Sequence, residues 1–242
     1  MELRGKCALV TGAGQRIGRA IAYGLIRRGV HVAIHYHRSE QGAKATAMEA
    51  EVAGVRVARL KADLGDAEAA RALPARAREA LGGLDIAVLS AAIMEKRPLE
   101  EVTPLAWDRV MNLNLRSTFF AAQGAAEAMG EQGGAIVALA DIAAFQHWRQ
   151  YPVHVISKAG VVAATKMLAR ILAPRVRVNA VAPGPVLLPV DWDDEARKRL
   201  EQSTPMRRIG APDDVVRAVL FLLENDYVTG TTLVVDGGRL LA

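Results

Sequence analysis

Seven short apolar runs recur along this chain, each separated from the next by a stretch of helical length. The runs cover residues 7–10, 31–35, 55–60, 86–90, 135–139, 176–181 and 233–235. Most are continuously apolar, without the alternation of a strand wetted on one face. Such runs fit strands buried on both sides, as in a parallel sheet. The intervening stretches predict helices over 16–28, 40–52, 67–80, 105–129, 153–172 and 213–223, with a shorter one over 194–202. Parallel neighbours need long crossovers, and these helices supply them. The expected fold class is therefore α/β, a parallel sheet with helices on both faces. No linker, repeat or low-complexity tract divides the sequence, so residues 1–242 are expected to form a single domain.

The largest interruption is the segment 183–205. It holds four prolines and an acidic centre, Asp191-Trp192-Asp193-Asp194-Glu195. A long irregular segment between a strand and a late helix is expected to lie over a ligand site.

Composition narrows the function classes. Hydrophobic residues make up 51% of the chain, which argues against disorder. No apolar run approaches the ~20 residues of a membrane span. Residues 1–6 lead straight into the first strand, with no signal-peptide core. The single cysteine, Cys7, excludes an internal disulfide. A cytoplasmic protein with no membrane partner is expected. The net charge of +5 is spread over scattered arginines. A nucleic-acid partner would call for a concentrated basic patch with interleaved aromatics, so none is expected. An anionic small molecule suits such a surface better.

The sequence Thr11-Gly12-Ala13-Gly14-Gln15-Arg16-Ile17-Gly18 follows the first strand and opens the first helix. Its glycines, at 12, 14 and 18, let a turn bend so that backbone and helix-start N–H groups face a pyrophosphate. A unit that binds NAD usually offers Asp or Glu to the ribose 2′-hydroxyl about 20 residues later. Here the second strand ends in His35-Tyr36-His37-Arg38-Ser39, with no carboxylate before Glu40. Arg16, His37, Arg38 and Ser39 could surround a 2′-phosphate, which favours NADP(H). His31, His35 and His37 share one strand face, but no cysteine or carboxylate completes a metal set, and no metal is expected. After the third strand, Asp63 is placed to meet an adenine edge and Leu64 follows it. Asp63 or Asp66 could equally cap the next helix.

Taken together, these pieces resemble the short-chain dehydrogenase/reductase family over nearly the whole chain. The matching residues are Thr11–Gly18, 62–64, Asn112-Leu113-Asn114, Lys158-Ala159-Gly160, the run 177–184, Thr229-Gly230 and Val235-Asp236-Gly237-Gly238. Within the family the chain looks most like the pteridine reductases, through Arg16, the string 35–39 and Asp141. The resemblance implies a Rossmann-type doubly wound sheet of strand order 3-2-1-4-5-6-7. It also implies NADP(H), reduction of a carbonyl or imine on a small molecule, and a homotetramer or homodimer. Asn114 corresponds to the asparagine that supports an active-site water. Lys158 corresponds to the lysine that holds the nicotinamide ribose, and Asp141 to the catalytic serine or the pteridine reductases' aspartate. Ser90 and Ala91 fall beside the cofactor, where the family usually has two asparagines. Pro183, Gly184 and Val186 fall where the backbone meets the nicotinamide carboxamide.

The family's tyrosine position falls on His154. Ile93 and Glu95 replace two pterin contacts, a serine and an aromatic. His154 and Lys158 stand one helical turn apart and are expected to be neighbours. Lys158 would disfavour a second positive charge, whereas Asp141 would favour one. An Asp141–His154 pair could therefore hold the proton that a reduction consumes. Tyr151 is the other candidate acid, but Pro152 places it at the helix cap, off the helix lattice. The alternative is an impaired family member that binds NADP(H) as a sensor or structural protein. Phe145, His147, Trp148, Met94, Leu187, Leu188 and Trp192 are candidates for a hydrophobic substrate wall. The helices 105–129 and 153–172 are apolar around most of their circumference and are expected to be buried, in part by a second copy.

Overall fold

The computed structural model describes residues 1–188 and 193–242. Seven parallel strands form one sheet of order β3-β2-β1-β4-β5-β6-β7. They are β1 (Cys7–Val10), β2 (His31–Tyr36), β3 (Val57–Lys61), β4 (Ile86–Leu89), β5 (Gly134–Leu139), β6 (Val176–Pro183) and β7 (Thr232–Val235). The expected topology is the observed one, and every expected strand is present within two residues of its predicted ends.

The helices are α1 (Arg16–Arg27), α2 (Glu40–Val52), α3 (Ala67–Leu81), α4 (Pro104–Met111), α5 (Ser117–Met129), α6 (Pro152–Leu172), α7 (Asp194–Ser203) and α8 (Pro212–Glu224). One core cluster joins α1, α2 and α8 to one face of the sheet, through side chains such as Ile21, Leu25, Ala47, Val219 and Leu222. The other joins α3, α5 and the end of α6 to the opposite face, through Leu73, Leu81, Ala125, Met129 and Leu168. Alanine on α5 lets that helix lie close to α3. There Gly124 packs so tightly that an added Cβ would fall 2.1 Å from the Arg71 carbonyl oxygen.

One expectation needs correction. The helix predicted over 105–129 is broken by a π turn at Asn112–Arg116. Its apolar periodicity continues through the break, so pattern alone could not reveal it, and π turns often sit at functional positions. The faces of α5 and α6 expected to be covered by a second copy are open in the single chain. Phe119, Ile156, Met167 and Ile171 stay exposed, since no described element covers that face. The terminal Leu241 is exposed as well. No helix among the described residues is long and apolar enough to cross a membrane.

The strand order reverses between β1 and β4, and the carboxyl ends of the strands there open a crevice. In doubly wound sheets ligands bind at this point. The glycine turn, the β4 exit and the β5 exit all lie along it.

Candidate active site

At the β1 end, buried Thr11 fastens the crevice floor. Its Oγ1 accepts the backbone N–H groups of Ser90 at 2.8 Å and Ala91 at 3.0 Å, tying the β1 exit to the β4 exit. Gly12 adopts a left-handed φ of 67°. A Cβ there would fall 3.1 Å from the Cα of Ala91. A Cβ on Gly14 would fall 2.3 Å from Ser39 Oγ, so the turn and the β2 exit pack backbone to side chain. Gly18 follows Ile17 in the first turn of α1 and packs against the Gly12 carbonyl.

His35 has a role that sequence reasoning missed. Its Nδ1 accepts the Gly12 N–H at 3.0 Å, and its Nε2 lies 3.2 Å from the Ala62 carbonyl, to which it donates. Ala13 N–H reaches the His35 carbonyl at 2.9 Å. Burial holds the imidazole down to about 4, so the ring is neutral and braces the turn from below. The one available signal was its place at the end of a buried strand, directly under the glycines. His31 is also engaged by backbone, its Nδ1 accepting from Arg56 N–H.

His37 and Arg38 are exposed and Ser39 half-buried at the β2 exit, where a 2′-phosphate would lie. His37 Nδ1 stands 3.9 Å from the Asp63 carboxylate. Asp66 caps α3 by accepting from Glu68 N–H. Asp63 accepts from Gly65 N–H and leaves most of its side chain exposed, while Leu64 is buried beneath it. Arg16 departs from the expected cluster. Its guanidinium donates to the Leu187 carbonyl at 2.8 Å and so spans the crevice, and its backbone holds a left-handed φ of 52°.

At the other end, β5 delivers Asp141 and α6 delivers His154 and Lys158. Asp141 caps the short turn Ile142–Ala144 with Oδ1, which accepts from Ala143 N–H at 2.8 Å. Its Oδ2 faces His154 Nε2 at 3.5 Å. His154 Nδ1 lies 3.3 Å from the Ile93 carbonyl, and because a carbonyl only accepts, Nδ1 carries a proton. Nε2 is buried and makes no hydrogen bond of normal geometry. Leaving it so costs about 1–3 kcal/mol unless a proton lies between it and Asp141.

The π turn aims Asn114 at the same segment. Its Oδ1 accepts from Ile93 N–H at 2.9 Å, and its Nδ2 donates to Ile93 O at 2.9 Å and to Ser157 Oγ at 3.1 Å. Ser157, unremarked in the sequence, donates in turn to the His154 carbonyl at 2.7 Å. In this structure, then, the Asn114 side chain clamps the Ile93 backbone. Lys158 is buried and donates to the Leu139 carbonyl at 2.7 Å, not to His154. Burial pushes its ammonium down to about 8, against the opposing pull of Asp141.

The loop after β6 completes the crevice. Gly184 N–H bonds the Val235 carbonyl, Pro185 C=O accepts from Gly210 N–H, and Val186 packs into the core. Phe145, His147 and Met94 are exposed, and Leu187 and Leu188 are partly buried. Trp148 stands edge-on to Tyr151 with ring centroids 6.1 Å apart. Tyr151 is the N-cap residue of α6, as its proline neighbour predicted. Glu95 lies 3.1 Å from Arg109. Trp192, the remaining wall candidate, lies outside the described residues.

A family model described as Enoyl-(Acyl carrier protein) reductase matches residues 12–239. The chain is similar to the L-rhamnose 1-dehydrogenase (NAD(P)(+)) of Sphingomonas sp. (strain SKA58), with 36% identity over 98% of this chain and 96% of the relative. It is equally similar to 3beta-hydroxysteroid dehydrogenase 1 of Eggerthella lenta, with 36% identity over 99% and 95%. Among solved structures, a short-chain dehydrogenase from Burkholderia cenocepacia J2315 in complex with NADP superposes with a TM-score of 0.92 at 36% identity, covering 99% of both chains. FolM alternative dihydrofolate reductase 1 from Brucella suis in complex with NADP superposes with a TM-score of 0.93 at 31% identity, covering 100% of this chain and 97% of the other.

Proposed function

We propose that this chain, which belongs to the short-chain dehydrogenase/reductase family, is an NADP(H)-dependent oxidoreductase that reduces a carbonyl or imine on a flat or hydrophobic small molecule. The observation that carries the reading is the 3.5 Å approach of His154 Nε2 to Asp141 at the β5 exit, beside buried Lys158. That approach keeps a proton store where the family's tyrosine has been lost.

The residues present fit the dinucleotide. The close-packed turn at Gly12, Gly14, Ile17 and Gly18 leaves room for backbone to approach a pyrophosphate. His37, Arg38 and Ser39 suit a 2′-phosphate, and Asp63 with Leu64 suits the adenine. Ser90, Ala91 and Lys158 border the nicotinamide ribose, and Pro183, Gly184 and Val186 border the carboxamide. When bound, the reduced nicotinamide supplies hydride. The protein's own contribution is to orient that ring and to provide the proton.

A second reading, an NADP(H)-binding protein with little turnover, is favoured by the burial of His154, which is only 3% exposed. The walls support a substrate class within the reductase reading. Ile93 and Glu95 remove two contacts a pterin would use, while Phe145 and Met94 offer exposed apolar surface. The uncovered faces of α5 and α6 support a homodimer or homotetramer, since an apolar face of this kind is normally covered.

The test is NADPH oxidation across ketones, quinones and pterins, together with NADPH binding by fluorescence. The reductase reading expects turnover in the unaltered protein and a lowered kcat in His154→Ala with binding intact. Tight NADPH binding with no turnover on any substrate would favour the second reading.

A further inference from the structure

We infer that Asp141 is the group that gives its proton to the substrate heteroatom, and that His154 is a positioning residue acting through it. The inference rests on the reductase reading above. An imidazole ends short of where a tyrosine hydroxyl would reach. Accordingly His154 is 3% exposed and its Nε2 has no access to the crevice. To touch a substrate the ring would have to leave the Ile93 carbonyl, which Asn114 holds in place. The Asp141 side chain, by contrast, is 24% exposed. Its Oδ1 is pinned by Ala143 N–H, which leaves Oδ2, the oxygen facing His154, to act.

Proton counting gives the pair its role. Nδ1 of His154 carries a proton because it faces a carbonyl. If Nε2 and Oδ2 were both bare, two sets of lone pairs would face each other at 3.5 Å. One proton shared between Nε2 and Oδ2 removes that repulsion. The Ile93 carbonyl therefore chooses the tautomer, and the tautomer stores the proton against Asp141.

When bound, the reduced nicotinamide would supply hydride to the carbon of the C=O or C=N bond, and the protein's part is the proton. The π pair moves to the heteroatom, which takes the proton from Oδ2. The O–H bonding pair stays on Asp141 as a carboxylate, facing neutral Nε2 and within the field of the Lys158 ammonium, which stabilises it. Solvent at the exposed edge of Asp141 returns the proton. Lys158 donates to Leu139 O and so takes no direct part in the transfer.

Four variants and one spectrum test this. Asp141→Asn is expected to lower kcat by about 100-fold or more while leaving NADPH affinity unchanged. His154→Asn, which can keep the Ile93 contact but not the Asp141 contact, is expected to lower kcat by only about tenfold. His154→Gln, whose amide N–H can reach Oδ2, is expected to recover part of that loss. The double variant Asp141→Asn/His154→Asn is expected to be no slower than Asp141→Asn alone, because the two residues act as one unit. In NADPH-free protein, ¹⁵N spectra of labelled histidine are expected to show His154 protonated at Nδ1, with its Nε2 resonance moving in Asp141→Asn. Near-normal turnover in Asp141→Asn with loss in His154→Asn would overturn the inference and leave the reductase reading standing. An Nε2 resonance indifferent to Asp141→Asn would also overturn it. Absence of turnover in the unaltered protein on every substrate would instead sink both together.

Discussion

At the β1–α1 end of the crevice the working groups are backbone amides held by packing, whereas at the β5–α6 end they are side chains held by burial. The glycine turn owes its shape to close approaches, such as Gly14 against Ser39, and to one neutral histidine beneath it. The β5–α6 end sets buried His154 and Lys158 against Asp141, which keeps one edge in water. A backbone site tolerates change in most of its side chains as long as the turn keeps its path. A buried charge site changes with each residue, since removing one partner exposes the other's desolvation cost. A dinucleotide crevice of this kind can therefore outlast changes at the β5–α6 end.

The largest expected effect tests the first end. His35→Ala removes a buried ring and leaves the Gly12 N–H and Ala62 C=O without partners, and it is expected to destabilise the protein by about 3 kcal/mol. Urea unfolding would measure it, and NADPH affinity is expected to fall in parallel. A pH signature goes with it. The folded-state value for His35 lies near 4, below the ordinary 6.5, so between these the unfolded chain binds more protons. Stability is therefore expected to fall as pH drops from 6.5 to 4, and that step should vanish in the variant. If His35→Ala is as stable as the parent, the turn does not depend on its brace.

Lys158→Met tests the other end. The ammonium is held near 8, below its ordinary 10.5. Across that window the unfolded chain again binds more protons, so stability rises with pH, by up to about 3 kcal/mol in all. The variant is expected to lose this rise, and at pH 7 to be no less stable than the parent, because a costly buried cation is gone. Its kcat should drop while the glycine turn keeps most of the cofactor affinity. Parallel stability curves for parent and variant between pH 8 and 10.5 would show that the lysine is solvated in the folded protein.

Legibility in the sequence divides along the same line. Strand runs such as 7–10 and 135–139 are apolar at every position, and continuous burial leaves a pattern that can be read directly. The glycine turn is legible for the same reason, since steric limits act on residue type. The π turn at Asn112–Arg116 is not, because helix periodicity survives one widened turn. The neighbourhood of His154 is only half legible. Helix spacing puts Lys158 one turn away but does not say that its hydrogen bond goes to Leu139. Nor does spacing reveal the Ile93 carbonyl, which lies 61 residues away in sequence and fixes the ring. Arg16 was grouped with the basic β2 exit by its charge, yet its reach and left-handed backbone send it across the crevice.

Arg16 also yields the smallest expected effect. A non-glycine residue at φ 52° is strained by roughly 1 kcal/mol, and Arg16→Gly relieves it. The same change removes the hydrogen bond to Leu187 and frees the unfolded backbone, losses of similar size. The opposing terms should leave stability within about 1 kcal/mol of the parent by urea unfolding. Cofactor handling should shift more, with KM for NADPH rising severalfold, because nothing then ties the glycine turn to the loop after β6. Arg16→Lys separates the two causes. It keeps the strain and the charge but loses the planar fork, so it should raise KM without the relief. A large stability loss in Arg16→Gly would mean that a side chain, not packed backbone, holds the dinucleotide end together, and the distinction between the two ends would fail.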